Sequence, residues 1–366
     1  MADLSVGDER VVDIGPIAHG GHFIAHADGR TLFVRHAVTG ERVRVVVTDV
    51  NRRMVRADAI EILDSSPDRV EPPCSWAGQC GGCDFQHVLV PRQREFKTQV
   101  LRESLVRFGG LAAADPLLAV EVQELPGSPD GLRWRTRMTW AESDDGTVGL
   151  HRHRSHAVVP VGECLLAVPE IAQARQSKPG RIVREVGGRT WRVSSDAFWQ
   201  VHTALPEALV ATVMEFADAR PGERWLDLYS GVGLFSAFLA SQVAPDGVVD
   251  AVESDPGAVR DARRALHDLP SVRLHCSDVA VWLRSASGPV QGVVLDPPRA
   301  GAGESVVRAI VDSAPGVVVY VACDPVALAR DISMFGAAGY RLAAVRAFDA
   351  FPMTHHFESV ALLTKA

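Results

Sequence analysis

From about residue 190 to the end, the chain repeats one pattern: a short apolar run, then a helical stretch. The runs are RWLDLY (224–229), GVVDAVE (247–253), SVRLHC (271–276), QGVVLD (291–296), GVVVYVAC (316–323), RLAAVRAFD (341–349) and ESVALLTK (358–365). Helical periodicity fills the gaps, as in DPGAVRDARRALHDL (255–269) and PVALARDISMFGAAG (325–339). Strands this continuously apolar are buried on both faces, and alternation with helices supplies the cover. A doubly wound, Rossmann-like α/β domain is expected over residues 189–366. Its ligand crevice should lie beyond the carboxyl ends of the strands.

The preceding half follows different rules. With 366 residues the chain has room for two or three domains. Residues 1–63 read as all β, with VVDIG, HFIAHADGR, TLFVRH, ERVRVVVTDVN and VRADAIEIL broken by Gly20-Gly21, Asp28-Gly29 and Gly40. Five short strands in so few residues fit a small OB-like barrel of the RNA-binding kind. SSPDRVEPP (65–73) reads as a linker into a central α/β domain, 64–188. That domain holds CSWAGQCGGCDFQH (74–87) and a helix expected over 91–110. Phe96, Val100, Leu101, Leu105 and Phe108 would share one helix face, and Gly109-Gly110 would end it. Strands are expected from 132 to 161, where Arg133, Arg135, Arg137, Arg152 and Arg154 alternate with apolar and aromatic residues. A basic sheet face of that kind suits phosphates and stacked bases.

Net charge is −7, so any nucleic-acid surface must be local. No apolar run nears the roughly 18–20 residues a membrane span requires. The start, MADLSVGDER, is too polar for a secretory signal, and the expected location is the cytoplasm, as a monomer. Six cysteines are too few for a disulfide scaffold.

Three of those cysteines, Cys74, Cys80 and Cys83, are clustered, with Cys164 distant. Zinc sites favour paired short spacings, and C-x5-C-x2-C with a remote fourth cysteine suits an iron–sulfur cluster better; zinc stays open on spacing alone. The turn Asp227-Leu-Tyr-Ser-Gly231-Val-Gly233 follows a strand and opens a helix, and Glu253 ends the next strand. This G-x-G lacks the third glycine that cradles a pyrophosphate, so it fits S-adenosylmethionine better than a dinucleotide, with Glu253 accepting from ribose hydroxyls. Asp296 of LDPPR ends the fourth strand and Cys323 the fifth. The helix after Cys323 turns its N-terminal dipole toward the sulfur, which favours thiolate. If the last strand runs antiparallel beside the fifth, its first residue, Glu358, reaches the same rim. His355 and His356, just before it, read as a positioning or packing pair.

Together, CSWAGQCGGCDFQH, FWQVH (198–202), LDLYSGVGLFS, LDPPRAG, CDPVALARD and HHFESVALL resemble the motifs of the bacterial TRAM-domain RNA uracil-C5 methyltransferases, in that family's order over nearly the whole chain. The resemblance implies a TRAM barrel, a [4Fe–4S] cluster on Cys74, Cys80, Cys83 and Cys164, and a class I methyltransferase domain acting on structured RNA, ribosomal or transfer. It further implies S-adenosylmethionine contacts from Gln200, Tyr229, Glu253 and Asp296, at the turn of Gly231 and Gly233, with Asp278 as a further contact. Cys323 would be the nucleophile and Glu358 the base, and the helix at 91–110 would pack on the catalytic domain. Leu234 departs from the asparagine that some members carry. A methyltransferase of another base or of a protein amine is the rival enzyme, and a non-catalytic RNA-binding module the rival class.

Overall fold

The computed structural model describes residues 4–52, 54–173 and 180–365. In chain order its elements are β1 (Glu9–Asp13), β2 (Ile17–Ala18), β3 (His22–Ala27), β4 (Arg30–Arg35), β5 (Arg42–Val50), β6 (Val55–Asp64), α1 (Val90–Arg107), β7 (Val122–Gln123), β8 (Ala141–Glu142), β9 (Val148–His151) and β10 (Val158–Val159). There follow β11 (Arg181–Val186), β12 (Arg189–Ser194), α2 (Leu205–Ala217), β13 (Arg224–Leu228), α3 (Leu234–Val243), β14 (Val248–Glu253), α4 (Pro256–Ala265), β15 (Val272–Cys276) and α5 (Val279–Ser285). The chain closes with β16 (Gly292–Leu295), α6 (Gly303–Asp312), β17 (Val317–Ala322), α7 (Pro325–Ala337), β18 (Tyr340–Phe348) and β19 (Glu358–Lys365). Two compact units share these elements. One takes Met1–Val100, Pro126–Arg175 and Phe351–His356; the other takes Leu101–Leu125, Gln176–Ala350 and Phe357–Ala366.

In the first unit β1–β6 form one sheet in the order β1-β5-β6-β4-β3-β2. Strand β5 alternates buried valines with outward arginines, the period-2 pattern that puts one face into a core. Phe23, Leu32, Val43, Val45 and Val55 pack there with Phe85, Val88, Phe96 and Val100, so the cysteine segment and the start of α1 share the core of the small sheet. The expected strand over 132–142 is largely irregular. Strands β8, β9 and β10 pair as a three-stranded sheet, and Arg135 and Arg152 make single bridges to Ala167 and Cys80. Arg133 takes a left-handed backbone (φ 58) and spends its guanidinium on Glu163 (2.5 Å) and the Ala167 carbonyl (3.3 Å). Arg135 donates to the Arg137 carbonyl (2.9 Å). Arg133 and Arg135 thus bind local acceptors, and residues 132–140 form no regular strand. Arg137, Arg152 and Arg154 are exposed.

In the second unit eight strands run in the order β15-β14-β13-β16-β17-β19-β18-β7. From β15 through β17 neighbours are parallel, and β19 lies antiparallel between β17 and β18, as expected. Leu226, Leu228, Val293, Leu295, Val318 and Tyr320 centre its core, joined by Leu101 and Leu105 of α1. Thus α1 does not lie wholly with the catalytic strands: Phe96 and Val100 belong to the first unit's core. Phe108, beyond the helix end, is exposed, with the Arg107 and Arg330 guanidinia over its ring. The hairpin β11–β12 and the edge strand β7 were not expected. For the hairpin a signal was present: Gly187-Gly188, both at positive φ, is a two-residue hairpin turn.

Candidate active site

Strand β13 delivers the chain into the glycine turn. Tyr229 (φ 61), Gly231 (φ 53) and Gly233 (φ 81) all take left-handed backbone. At Gly233 the missing side chain matters doubly, since a Cβ would sit 2.5 Å from Leu266 Cδ1. The turn aims the Gly231 N–H at Glu253 Oε2 (3.0 Å), and Glu253 Oε1 accepts the Asp255 N–H (2.7 Å). The carboxylate is thereby fixed at the end of β14 with lone pairs to spare. Beneath it Asp227 is fully buried: one oxygen accepts from the Ser236 hydroxyl, the other has no partner, and burial pushes its carboxyl up to about 7.

Asp296, just past β16, accepts from Gln200 Nε2 (3.2 Å); burial and then the charge of Asp227 push it up to about 7. Gln200, Glu253, Asp296 and the glycine turn therefore meet on one rim. Asp278 is engaged differently: it caps α5, accepting the Val281 N–H (2.9 Å), although its charge reaches Tyr229. Leu234 is buried at the start of α3 and offers an apolar wall where an amide would donate.

The second half of the rim comes from register. Ala322 pairs with Ser359 across β17 and β19, so one step further Cys323 stands opposite Glu358. Glu358 is 3% exposed, and its Oε1 has no hydrogen-bond partner. Burial, then Asp296, push its carboxyl well above the ordinary range, and Arg299 opposes them. Burial pushes the Cys323 thiol up to about 12, helped by Glu358 and Asp296 and opposed by Arg299. Asp324 caps α7 and takes the free N–H groups of Val326 (3.0 Å) and Ala327 (2.8 Å) for its own carboxylate. Sequence reasoning passed over Arg299, although it stands inside the LDPPR motif; it is the cation acting on both Cys323 and Glu358.

Within the first unit Cys74, Cys80, Cys83 and Cys164 line a single cavity of about 30 Å³, together with Trp76 and Arg135. Gln86 braces it, donating to Cys83 Sγ (3.1 Å) and accepting the Cys74 N–H (3.2 Å). Burial holds the Cys80 and Cys83 thiols up. Among the described residues no three His, Cys, Asp or Glu side chains form a site for a metal ion. Cys276, at the end of β15, is exposed. No helix among the described residues is long and apolar enough to cross a membrane.

Comparison with known proteins fits this geometry. Residues 283–366 match the tRNA (Uracil-5-)-methyltransferase family, 3–60 the TRAM domain, and 190–285 the protein-L-isoaspartate(D-aspartate) O-methyltransferase family. The chain is 41% identical to an uncharacterized RNA methyltransferase of Streptomyces avermitilis, with 99% of each chain covered. It is 30% identical to the 23S rRNA (uracil(1939)-C(5))-methyltransferase RlmD of Chromohalobacter salexigens, covering 97% of this chain and 89% of that one. Its fold is similar to that of the Pyrococcus abyssi tRNA (uracil-54, C5)-methyltransferase, solved with S-adenosyl-L-homocysteine: TM-score 0.70, 22% identity, 96% and 99% of the two chains.

Proposed function

Because this chain belongs to the RNA uracil-C5 methyltransferase family, with a TRAM domain at its amino end, we propose that it methylates carbon 5 of one uridine in a structured ribosomal or transfer RNA, with Cys323 as nucleophile and Glu358 as base. The observation that carries the assignment of roles is the cross-strand opposition of Cys323 and Glu358, with a buried carboxylate oxygen left unpartnered. A buried acceptor without a partner costs about 1–3 kcal/mol, and such an atom is explained if it receives a proton from substrate.

S-adenosylmethionine, held by Gln200, Tyr229, Glu253 and Asp296 over the turn of Gly231 and Gly233, supplies the methyl group and brings a sulfonium cation. The site suits a cation: burial pushes up the carboxyls of Asp227, Asp296 and Glu358, and the charge of Asp227 on Asp296 and of Asp296 on Glu358 adds to it. With a cation bound and Arg299 nearby to offset burial and the carboxylate charges, the Cys323 thiol loses its proton to solvent and its sulfur adds to carbon 6 of the uracil. The electron pair of the C5–C6 double bond moves onto the C4 carbonyl as an enolate. Carbon 5 then bonds to the methyl carbon as the sulfonium S–C bond breaks, S-adenosylhomocysteine leaves as the neutral thioether, and the C4 carbonyl is restored. Glu358 then takes the carbon 5 proton, the C5–C6 double bond re-forms, and the sulfur leaves. The ring must be reached on its face, so the uridine is unstacked or comes from a loop. Mapping 5-methyluridine in RNA from cells with and without the gene tests the activity. Loss at one ribosomal or transfer RNA position is expected, and an unchanged map overturns it.

We assign the organisation 1–63, 64–188 and 189–366 to RNA binding, cysteine site and catalysis. As placed, no three side chains of the cysteine site converge on one ion, but four cysteines from two distant segments ring one cavity. That donor set would suit a [4Fe–4S] cluster, since buried thiols ionise readily only against a cation. Cys74, Cys80, Cys83 and Cys164 would hold the cluster, which would join the loop at 74–83 to Cys164. Anaerobically purified protein should be brown, with about four iron and about four sulfide per chain. Colourless protein with stoichiometric zinc contradicts the assignment.

A further inference from the structure

The segment Phe351–His356 belongs to the first unit, although the chain on either side of it belongs to the second. It is held there by polar side chains. Asp84, the residue after Cys83, accepts both the ring N–H at His355 Nδ1 (2.6 Å) and the His355 backbone N–H (3.1 Å) through one oxygen. The Asp84 and Phe85 N–H groups both donate to the Met353 carbonyl (2.9 and 3.0 Å). Gln93 of α1 accepts the Met353 N–H (2.8 Å), and Lys97 Nζ donates to the Phe351 carbonyl (3.1 Å). Gln93 and Lys97 are both fully buried, a costly place for an amide and an ammonium group. Met353 is kept at φ 66, a conformation a methionine holds only where its surroundings over-determine it. The rings of His355 and His356 lie against each other, tilted by 43° with centroids 3.9 Å apart.

Two residues past His356 comes Glu358. We propose that Asp84 is a positioning residue for the methyl-transfer reaction: by fixing His355 it fixes the strap whose chain runs directly into Glu358. This rests on the reading of Glu358 as the base. The chain offers a direct path, since Asp84 adjoins Cys83 and only Phe357 separates the strap from Glu358. A misplacement of the base by about 1 Å can cost up to about 100-fold in rate. Addition of Cys323 to carbon 6 does not need the base, so loosening the strap should slow only the last step.

The test uses Asp84→Asn, Asp84→Ala and His355→Ala in the full-length protein, with iron content measured for each. His355→Ala leaves the residue beside Cys83 in place and keeps the test valid if an Asp84 variant loses its metal or fails to fold. Two readouts separate the steps: turnover on ordinary RNA, and trapping of a covalent complex on RNA carrying fluorine at carbon 5. The expected result is a fall in kcat of roughly 10- to 100-fold with KM unchanged. Covalent protein–RNA should build up during turnover while the rate of trapping by fluorinated RNA stays normal. Asn, which still accepts one N–H, should fall less than Ala. Normal turnover in His355→Ala, or an equal fall in trapping and turnover, overturns the proposal. Failure of the underlying reading looks different: Glu358→Gln would then turn over normally whatever the Asp84 variants do.

Discussion

Glu253 is the residue whose replacement separates a cofactor contact from a structural one. Its carboxylate already holds the Gly231 and Asp255 N–H groups at 3.0 and 2.7 Å, so Glu253→Ala would loosen the glycine turn as well as remove a ligand acceptor. Glu253→Gln keeps the shape and one acceptor oxygen, and replaces the other with a donor. That donor faces either a backbone N–H or the ribose hydroxyls, and the charge is gone in both cases. Hydrogen bonds to a charged group are worth about 1.5–3 kcal/mol, so the affinity for S-adenosylmethionine should fall by roughly 10- to 150-fold at about 1.4 kcal/mol per decade. Isothermal titration calorimetry on the folded variant measures it, with S-adenosylhomocysteine as a second ligand that shares the ribose but not the cation. Both ligands should weaken alike, because the lost contact is to the sugar. A dissociation constant within twofold of wild type, with the melting transition unchanged, refutes the placement of the ribose at Glu253.

Binding should also depend on pH. Asp296 stands near 7 in the free protein because burial and Asp227 disfavour its charge. A sulfonium favours the carboxylate, so binding lowers that value and releases a proton. Affinity for S-adenosylmethionine should rise as pH climbs toward 7 and level off above it, while S-adenosylhomocysteine, without the cation, should show a weaker trend. Calorimetry in buffers of different ionisation enthalpy detects the proton, and a flat affinity from about pH 6 to 8 contradicts the electrostatic reading. The arginines should divide. Replacing exposed Arg137, Arg152 and Arg154 with alanine should lower the salt slope of RNA binding by about 2–3, at roughly 0.7–0.9 per phosphate contact. Arg133→Ala, which breaks the pair with Glu163, should instead cost stability with a smaller change in slope. Equal effects from both sets would move the RNA surface elsewhere.

Much of this site is legible in the sequence because long buried strands announce themselves. Seven runs of Val, Leu and Ala mark β13–β19 to within a residue or two, and the antiparallel last strand then brings Glu358 to Cys323 from far along the chain. What escapes are features where side chains use the backbone in ways periodicity does not encode. LRWRTRMTW alternates like a strand, yet Arg133 and Arg135 bind local carbonyls and Glu163, and residues 132–140 form no ladder. The cap beside Cys323 escapes for a related reason, because Asp324 takes the N–H groups at the start of α7 through a side chain that periodicity does not encode. Nothing local in FPMTHH shows that these residues pack with the cysteine segment; that follows from Asp84, Gln93 and Lys97, each more than 200 residues away.

The central claim is the division of labour between Cys323 and Glu358, and one gel tests it. Wild type, Cys323→Ala and Glu358→Gln are incubated with S-adenosylmethionine and substrate RNA, then denatured and run. If the thiol adds first and the carboxylate acts last, Glu358→Gln should transfer its methyl group and stall, leaving protein covalently joined to methylated RNA as a shifted, denaturant-resistant band. Cys323→Ala should give neither product nor band, and the double variant should match it, since the base acts only after attack. Normal turnover by Glu358→Gln with no accumulated band, or methylation by Cys323→Ala, contradicts the account.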